Sequence, residues 1–205
     1  MKPLLLLGGG GHCVSCIDVI EAEGKWRIRG IVDRDAERGS EVLGYPVLGT
    51  DENLAGLLEE APSAIVAVGQ IKSAAPRERL FEALIRAGAH APVIASPRAR
   101  ISPHAVVGDG TIVMHGVLVN AAANVGVNCI LNTHCVVEHG ARIGNHCHVS
   151  TGAMVNGDAR IGSGSFVGSG AVLREGVSIG EGCIVAAGAV VMRDLPAGSL
   201  QRRCT

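Results

Sequence analysis

Glu138 and His139 form the residue pair in this sequence that is best suited to proton transfer. A carboxylate beside an imidazole fixes the tautomer of the ring and stabilises the imidazolium that forms when the ring takes up a proton. His134, His146 and His148 lie nearby, so four histidines crowd one short region. We therefore predict that His139 is a general base supported by Glu138. The alternative is that these are solvated side chains on an outer surface, which their clustering disfavours.

This region belongs to a segment that repeats every six residues. Each sixth residue from Ile101 to Val191 is Val, Ile or Leu, and the residue two places before it is never larger than valine. A helix repeats about every 3.6 residues and a strand every second residue, so neither explains the period. The pattern predicts a left-handed parallel β-helix of hexapeptide repeats, with three short strands in each of roughly five coils.

A second period, of 18 residues, supports the assignment of three strands to each coil. Glycines recur at this spacing directly after an aliphatic residue. We expect one corner of each coil to need a backbone φ that glycine adopts easily. These glycines are Gly108, Gly126, Gly144, Gly162 and Gly180.

Stacking residues 18 apart also places other groups on the same edges of the β-helix. Gly157 lies one coil after His139, and its backbone amide is a candidate donor to the oxyanion of a tetrahedral intermediate. Thr151, Ser169 and Ala187 form another stack of small side chains. Such a stack leaves a groove for a thin ligand such as a pantetheine arm, or it simply keeps the corner tight, and the sequence leaves both readings open.

Residues 1–95 follow a different pattern, in which apolar strands alternate with helices. Strands are predicted at 4–7, 28–32 and 64–68, with a short one near 93–94, and helices at 13–23, 51–60 and 76–87. Strand, glycine turn and helix in succession indicate a small parallel, Rossmann-like α/β sheet. We therefore predict domains at 1–95 and 96–195, followed by a C-terminal tail at 196–205.

The carboxyl ends of the strands in such a sheet form its usual ligand site. Here they carry a glycine-rich turn followed by a helix, which lets a phosphate approach the backbone amides closely. The turn lacks the last glycine of the dinucleotide fingerprint, so NAD is not expected. The candidate residues for binding a substrate nucleotide are Gly8, Gly10, Gly11, His12 and Asp33.

Composition and charge exclude several classes of function. The net charge of −1 provides no basic field for nucleic acid or anionic lipid. The N-terminal apolar run is too short for a signal peptide or a membrane span, which predicts a cytoplasmic protein without membrane insertion. With 29 glycines but only one Trp, one Tyr and two Phe, the core must consist of many small, similar pieces.

The seven cysteines are expected to pack rather than to react. Cys13 and Cys16 form a C-x-x-C pattern, which is compatible with redox chemistry or with half of a zinc site. No second C-x-x-C follows, and the pair lies in a predicted helix, so packing is favoured. The small-residue column of the repeat contains four more, which we interpret as core fillers in a reducing compartment. They are Cys129, Cys135, Cys147 and Cys183.

Several short motifs taken together resemble a known family. They are the G-G-G-G-H turn at 8–12, N-T at 132–133 with E-H at 138–139, I-G at 143–144 with H-V-S at 148–150, and N-G at 156–157. This combination resembles the UDP-4-amino-sugar N-acetyltransferases of bacterial glycan biosynthesis. It equally resembles the sialic acid O-acetyltransferase-like branch of the same hexapeptide-repeat acyltransferase superfamily, so the sequence does not decide between an amine and a hydroxyl acceptor.

The resemblance implies an enzyme that uses acetyl-CoA and requires no metal. His139 would be the base that lets a sugar amine attack the thioester directly, with Glu138 and Asn132 as its supports. The acceptor would be a UDP-linked 4-amino sugar of the 2-acetamido-4-amino-2,4,6-trideoxyhexose type. The N-terminal domain would hold it near His12 and Asp33.

On the coenzyme side, the resemblance implies that His148 lies near the acetyl group and that the Gly157 amide contacts the thioester. Ser169 and Ala187 would line the coenzyme groove. Members of the family are homotrimers with active sites between subunits, so we expect this chain to form a homotrimer.

Two other classes of function are compatible with parts of the sequence. His134 and His139 are spaced like two ligands of a trimeric β-helix zinc enzyme of the γ-carbonic-anhydrase type. Arg98, however, stands near the position expected for the third histidine. A non-catalytic sugar-nucleotide-binding protein is the other alternative, which the combination of Asn132, Glu138 and His139 disfavours.

Overall fold

A computed structural model describes residues 1–34 and 39–202 of the chain. The N-terminal part is an α/β domain whose sheet has the strand order β3-β4-β2-β1-β5. A single 3-10 turn at Asp51–Asn53 precedes its second helix. The elements are β1 Lys2–Leu7, α1 Gly11–Glu23, β2 Trp26–Val32, β3 Glu41–Val42, β4 Tyr45–Gly49, α2 Leu54–Glu60, β5 Ser63–Val66 and α3 Ala75–Arg86.

The centre of this domain forms because β1 is apolar on both of its faces. Its four leucines, residues 4–7, are buried, and the strand pairs in parallel with β2 on one side and β5 on the other. A strand that is buried on both faces needs helices above and below it, which is the arrangement that βαβ crossovers provide. The predicted Rossmann-like sheet is therefore confirmed.

One part of the sheet was not predicted. The turn-rich stretch around Gly44 forms a hairpin, because β3 and β4 pair in antiparallel fashion. The second strand of the hairpin also pairs in parallel with β2 and so extends the sheet.

The rest of the chain is a left-handed parallel β-helix shaped like a three-sided prism, which confirms the hexapeptide-repeat prediction. One side, the domain face, consists of β6 Ile94–Ala95, β9 Ile112–Val113, β12 Ile130–Leu131, β15 His148–Val149, β18 Phe166–Val167, β21 Ile184–Val185 and β23 Leu200–Gln201. The apolar face consists of β7 Arg100–Ile101, β10 Leu118–Val119, β13 Val136–Val137, β16 Met154–Val155, β19 Val172–Leu173 and β22 Val190–Val191. The polar face consists of β8 Val106–Val107, β11 Asn124–Val125, β14 Arg142–Ile143, β17 Arg160–Ile161 and β20 Ser178–Ile179.

The prism includes strands at both ends that the sequence pattern assigned elsewhere. Strand β6 was expected to complete the N-terminal sheet, but it pairs with β9 of the domain face. Strand β23 lies in the predicted tail and pairs with β21. Both strands extend an existing parallel ladder, which satisfies their backbone groups even though each is only two residues long.

The faces differ because each strand points one side chain inward and one outward. The inward residues, such as Val119, Val137 and Val155, fill the core and are fully buried. The outward residues of the domain face at its N-terminal end, including Ile112 and Ile130, are also buried, because the α/β domain covers them. On the other two faces the outward residues are left uncovered by the chain. They are Arg100, Leu118, Val136, Met154, Val172 and Val190 on the apolar face, and Val106, Asn124, Arg142, Arg160 and Ser178 on the polar face.

Three edges join the faces, and each edge repeats a three-residue corner. The first edge joins the domain face to the apolar face and includes residues 132–134. The second edge joins the apolar face to the polar face and includes 138–140. The third edge joins the polar face to the domain face and includes 144–146. The third residue of each corner from 110 to 188 has a left-handed φ, and most of these residues are glycines.

The predicted role of the 18-residue glycine column is wrong. None of these glycines, of which Gly144 is typical, has a positive φ. They are required because consecutive coils approach closely at the third edge. A Cβ on Gly144 would lie 2.7 Å from the backbone nitrogen of Ser163 in the next coil. Glycine is thus required at these positions because the next coil leaves no room for a side chain, and not because of the backbone conformation.

Small side chains at the third edge also satisfy backbone carbonyls. A ladder of hydroxyl and thiol groups donates to the carbonyl oxygen 13 or 15 residues later along the chain. Three of the cysteines predicted as core fillers belong to this ladder, so they are both packed and hydrogen bonded. The bonds are Thr111 to Gly126, Cys129 to Gly144, Cys147 to Gly162, Ser165 to Gly180 and Cys183 to Pro196.

The C-x-x-C pair packs in the core of the α/β domain, as predicted. Cys13 and Cys16 lie on the inner side of α1 and are fully buried, and neither forms a disulfide. Burial raises the pKa of the Cys13 thiol to about 12 and also raises the pKa of Cys16. A thiol that stays protonated is a poor nucleophile. Among the described residues, no helix has the length and apolar character needed to cross a membrane.

The coil spacing predicts that two glycines of the third edge respond differently to alanine. Gly144→Ala should lower the free energy of unfolding by about 3 kcal/mol, because its methyl group meets the backbone of the next coil. Gly182→Ala is the control, since its methyl group meets open space and carries only the left-handed φ penalty of about 1 kcal/mol. Urea unfolding at a fixed chain concentration measures both, and equal losses would contradict this account.

Candidate active site

The predicted base lies on the second edge, where its ring packs against a glycine. The His139 side chain is exposed, and Gly157 is buried directly above it in the next coil. A Cβ on Gly157 would lie 2.7 Å from Cε1 and 2.8 Å from Nε2 of the His139 ring, so a side chain at position 157 would displace the ring. Within the described part of the chain, the Gly157 amide donates no hydrogen bond. An imidazole and a free backbone donor are thus held side by side.

Glu138 is held by Asn120, a residue that was not predicted to belong to the site. Its Oε2 accepts a hydrogen bond of 2.7 Å from Nδ2 of Asn120. Asn120 precedes Glu138 by 18 residues, so the coil period could have identified this neighbour. The backbone carbonyl of His139 accepts a bond of 3.0 Å from the Asp158 amide, which fixes the corner itself.

Asn132 lies on the first edge and contacts a different histidine. Its Oδ1 accepts a bond of 2.8 Å from the Thr133 amide, and its Nδ2 lies 3.2 Å from Nε2 of His148. The resemblance implied that Asn132 supports His139. Within one chain the two residues occupy different edges of the prism, so such support requires an adjacent subunit.

His148 is buried on the domain face, where its hydrogen bonds define its tautomer. Its Nδ1 lies 2.7 Å from the carbonyl oxygen of Gln70, which can only accept, so Nδ1 carries the hydrogen. Nε2 is then free to accept the bond from Asn132. The Phe166 ring packs edge-on against it with centroids 5.1 Å apart. Burial lowers the pKa of His148 to about 4, so the ring is neutral at neutral pH.

The predicted nucleotide residues all line one cavity in the α/β domain, of about 480 Å³. The first turn of α1 borders this cavity, and its amides have no side-chain cap. Asp33 is tied to the glycine turn because its Oδ2 accepts a bond from the Gly9 amide. The predicted lining residues are Gly8, Gly10, Gly11, His12 and Asp33, and lining residues that were not predicted include Arg34, Asp51, Val68, Arg79 and Leu80.

His12 connects this cavity to the domain face of the prism. Its ring centroid lies 6.4 Å from that of His148. Its Nε2 is buried and has no hydrogen-bond partner among the described residues. Burial, reinforced by the nearby charge of Arg77, lowers the pKa of His12 to about 3. The cavity wall therefore includes a neutral imidazole with an unsatisfied nitrogen.

The stack of small residues runs along the first edge. Ser169 and Ala187 are exposed there, and so is Thr151. The Ser169 hydroxyl lies 3.0 Å from the hydroxyl of Ser150. The edge therefore presents a shallow strip of small side chains beside the apolar face.

The chain thus brings the candidate residues together in two separate groups. Asn132 and His148 form a connected cluster with the His12 wall of the cavity, next to the first edge. Glu138, His139 and Gly157 form the other group, on the second edge. The apolar face lies between the two groups.

No set of three or more His, Cys, Asp or Glu residues in the described segments is arranged to hold a metal ion. His134 and His139, the pair that suggested a zinc enzyme, occupy the first and second edges of the same coil. The His134 ring instead packs over Gly116 in the preceding coil. Within one chain, the structure therefore does not bring these two histidines together.

The depressed pKa of His148 predicts that acid destabilises the fold. Because its pKa is about 4 in the folded state, against the ordinary 6.5, the unfolded chain takes up the proton first. The contribution of His148 to the free energy of unfolding is therefore constant above about pH 6.5 and is lost as the pH falls towards 4, by roughly 3 kcal/mol. Urea unfolding of wild type and His148→Asn at about pH 7 and about pH 4.5 should show a smaller pH dependence in the variant. An identical pH dependence would contradict it.

Sequence comparisons identify both parts of the chain. The sequence model of the family described as PglD N-terminal domain matches residues 3–84. That of the family described as bacterial transferase hexapeptide (six repeats) matches residues 158–193. Comparison with curated protein sequences gives no match.

Solved structures match the whole chain. Perosamine N-acetyltransferase from Caulobacter crescentus, solved as a histidine variant with CoA and GDP-perosamine, is 35% identical with a TM-score of 0.91, over 98% of this chain and 93% of that chain. The acetyltransferase domain of PglB from Neisseria gonorrhoeae is 32% identical with a TM-score of 0.87, over 98% and 96%. It has also been solved with acetyl coenzyme A. WeeI from Acinetobacter baumannii, at 23% identity and a TM-score of 0.85, shares the fold.

Two of these relatives exceed 30% identity over nearly all of this chain, and the same two-part architecture is present in its sequence and structure. The protein is an acyltransferase and belongs to the hexapeptide-repeat family of sugar N-acetyltransferases.

Proposed function

We propose that the protein transfers the acetyl group of acetyl-CoA to the amine of a nucleotide-linked 4-amino sugar in the cytoplasm, for bacterial glycan biosynthesis. The observation that carries the proposal is the His139 ring packed against the free Gly157 amide. UDP is the nucleotide that the sequence motifs favour. The solved perosamine N-acetyltransferase was bound to GDP-perosamine, so UDP-linked and GDP-linked sugars are both candidate acceptors.

The nucleotide diphosphate is proposed to bind in the cavity of the α/β domain. Gly10 and Gly11 place the uncapped amides of α1 at the cavity wall, where an anion is stabilised. Arg79 adds a positive charge to the lining. The unsatisfied Nε2 of His12 is suited to a polar group of the sugar, because a buried nitrogen without a partner is otherwise costly.

Acetyl-CoA is proposed to lie along the first edge, on the exposed strip of Ser169 and Ala187. Small side chains leave room there for the pantetheine arm. His148 would border the acetyl end through Asn132, which it contacts. The PglB acetyltransferase domain binds acetyl coenzyme A, which supports a coenzyme site in this fold.

A homotrimer is proposed because one face of the prism is apolar and uncovered. Five of its six outward residues, from Leu118 to Val190, are apolar, and the exception is Arg100 at its N-terminal end. Met154 and Val190 are 44% and 55% exposed in the single chain. Three such faces around a threefold axis would bury each other. Going round that axis, the first edge of one subunit meets the second edge of the next. Trimerisation would therefore join the two groups of candidate residues into one site.

The proposed chemistry then needs only these groups. The His139 imidazole takes a proton from the sugar amine, whose nitrogen attacks the thioester carbon. The Gly157 amide donates to the oxyanion that develops on the former carbonyl oxygen. The C–S bond breaks as the intermediate collapses, and the coenzyme A sulfur leaves as a thiol after it takes up the proton that His139 accepted. Glu138 orients the ring and balances its positive charge.

The activity itself is the test of this function. Release of coenzyme A should be seen with UDP-linked or GDP-linked 4-amino sugars, and not with free sialic acid. His139→Ala should lower kcat by roughly 10²–10⁴ with little change in acetyl-CoA binding, since it removes a positioned general base. Gly157→Ala should also lower kcat, because its methyl group displaces the His139 ring.

His104→Ala is the matched control, since this histidine is exposed in the first coil, outside both groups. It should keep wild-type kcat. Wild-type activity in His139→Ala would rule out the proposed base. Acetylation of sialic acid in preference to every amino sugar would show that the enzyme is an O-acetyltransferase and would contradict the proposed amine acceptor.

The apolar face gives a separate prediction for assembly. Met154→Lys should dissociate the trimer, because it would place three ammonium groups in an apolar interface without partners. Ser178→Lys on the polar face is the control and should stay trimeric. Sedimentation of both variants at micromolar concentration measures this. A wild-type monomer, or a fully trimeric Met154→Lys, would contradict the assembly.

A further inference from the structure

Helix α3 contacts both the nucleotide cavity and the prism. Pro76, Arg79 and Leu80 line the cavity of the α/β domain. Arg77 and Phe81, on another side of the same helix, face the third edge of the β-helix. Any shift of this helix therefore moves the cavity wall relative to the prism.

Arg77 joins the two parts of the chain through its guanidinium. The side chain is fully buried. Nη1 donates to the carbonyl oxygens of Val66 and Val68, where β5 ends at the cavity. Nη2 donates to the backbone oxygen of Asn128 at 2.9 Å and to its Oδ1 at 2.8 Å. One planar group thus fixes the end of a sheet strand to a corner of the prism.

Asn128 also donates a hydrogen bond to Arg77, and it stands at a position of the repeat that is usually glycine. It occupies a left-handed corner position, with a φ of 51°, where most other coils have glycine. Its Nδ2 donates to the backbone oxygen of Arg77 at 3.2 Å and lies 2.9 Å from Nδ1 of His146 in the next coil. The residue is fully buried. The strained conformation is offset by hydrogen bonds that glycine could not make.

The charge of Arg77 is not balanced by a carboxylate within the described segments. Among the described residues, no carboxylate lies within ion-pair distance of it, and its Nε has no partner. Burial lowers the pKa of Arg77 to about 10, so the group remains charged at neutral pH. A buried cation that is satisfied only by oriented carbonyl and amide oxygens holds those oxygens in a defined geometry.

We propose that Arg77 and Asn128 form a positioning lock that sets the nucleotide-sugar cavity relative to the edge where acetyl transfer occurs. The lock rests on the proposed function and adds two residues that do not touch the reacting atoms. It acts through α3, whose other side is the cavity wall. Transfer requires the amine to approach the thioester within about 3–3.5 Å, so a small displacement of the cavity lowers the rate without lowering affinity.

A second connection on the opposite side of the domain face keeps the domain attached when the lock is removed. Asp18 of α1 lies 2.7 Å from Nε2 of His115, whose Nδ1 lies 2.6 Å from the Ser96 hydroxyl. The buried apolar contacts of the domain face also remain. Loss of the lock should therefore loosen α3 and leave the fold intact.

The lock is tested with Asn128→Gly, which suits the left-handed corner and removes only the carboxamide. With both substrates saturating, kcat should fall by about tenfold. The Kd for UDP or GDP alone and the KM for acetyl-CoA should stay within about twofold, because the same residues line each site and only the position of the cavity relative to the prism changes. Arg77→Met should lower kcat to a similar extent, and the double variant should be no worse than either single one, since the pair acts as a unit.

Ala122→Gly is the matched control, because Ala122 is another left-handed corner residue, exposed and remote from α3. It should keep wild-type kcat. A kcat within twofold of wild type in Asn128→Gly, or an equal loss in Ala122→Gly, would overturn the proposal. If no amino sugar is acetylated, the proposed function fails and hydrogen exchange decides about the lock. Faster exchange of α3 amides in Asn128→Gly but not in Ala122→Gly supports it, and unchanged exchange overturns it.

Discussion

Each coil of the β-helix stacks on the preceding one in a register of 18 residues, and the rest of the structure depends on this register. Backbone amides donate from one coil to the next all along the prism, so every side chain has a defined neighbour above and below it. Each strand of this ladder has one inward and one outward residue. Each corner has three residues of fixed conformation. A residue type chosen at one position is therefore placed on a known face or edge to within a few ångströms.

This register explains why the chemistry is divided between edges. The His139 ring packs against Gly157 because the two residues are one coil apart, and Asn132 cannot reach His139 in the same chain because the apolar face separates them. The α/β domain covers one face of the prism and a second face is polar. The apolar face is therefore the surface that is suited to self-association. The proposed trimer follows from that surface, and the proposed active site follows from the trimer. The α/β domain adds the acceptor cavity, held over the prism by α1 and α3.

Much of this was predictable because it follows a period. The hexads predicted the prism, and the 18-residue spacing predicted that His139 and Gly157 are neighbours. The same spacing would have identified Asn120 as the partner of Glu138. The contacts between the domain and the prism could not be predicted, since the Gln70 carbonyl at His148 and the pairing of Arg77 with Asn128 join segments that share no period. The role of the glycine column was predicted wrongly because two different constraints, a lack of space and a left-handed φ, both select glycine. The sequence alone does not distinguish them.

The central claim is that one active site uses residues of two adjacent subunits, and mixed trimers test it most directly. His12→Ala removes the imidazole proposed to bind the sugar, and His139→Ala removes the proposed base. Each variant alone should therefore be almost inactive. If the two groups meet across the subunit interface, equal co-expression should restore about a quarter of wild-type activity, because about one interface in four combines an intact cavity with an intact base. Activity no higher than the average of the two single variants would contradict the account and place the whole site within one chain.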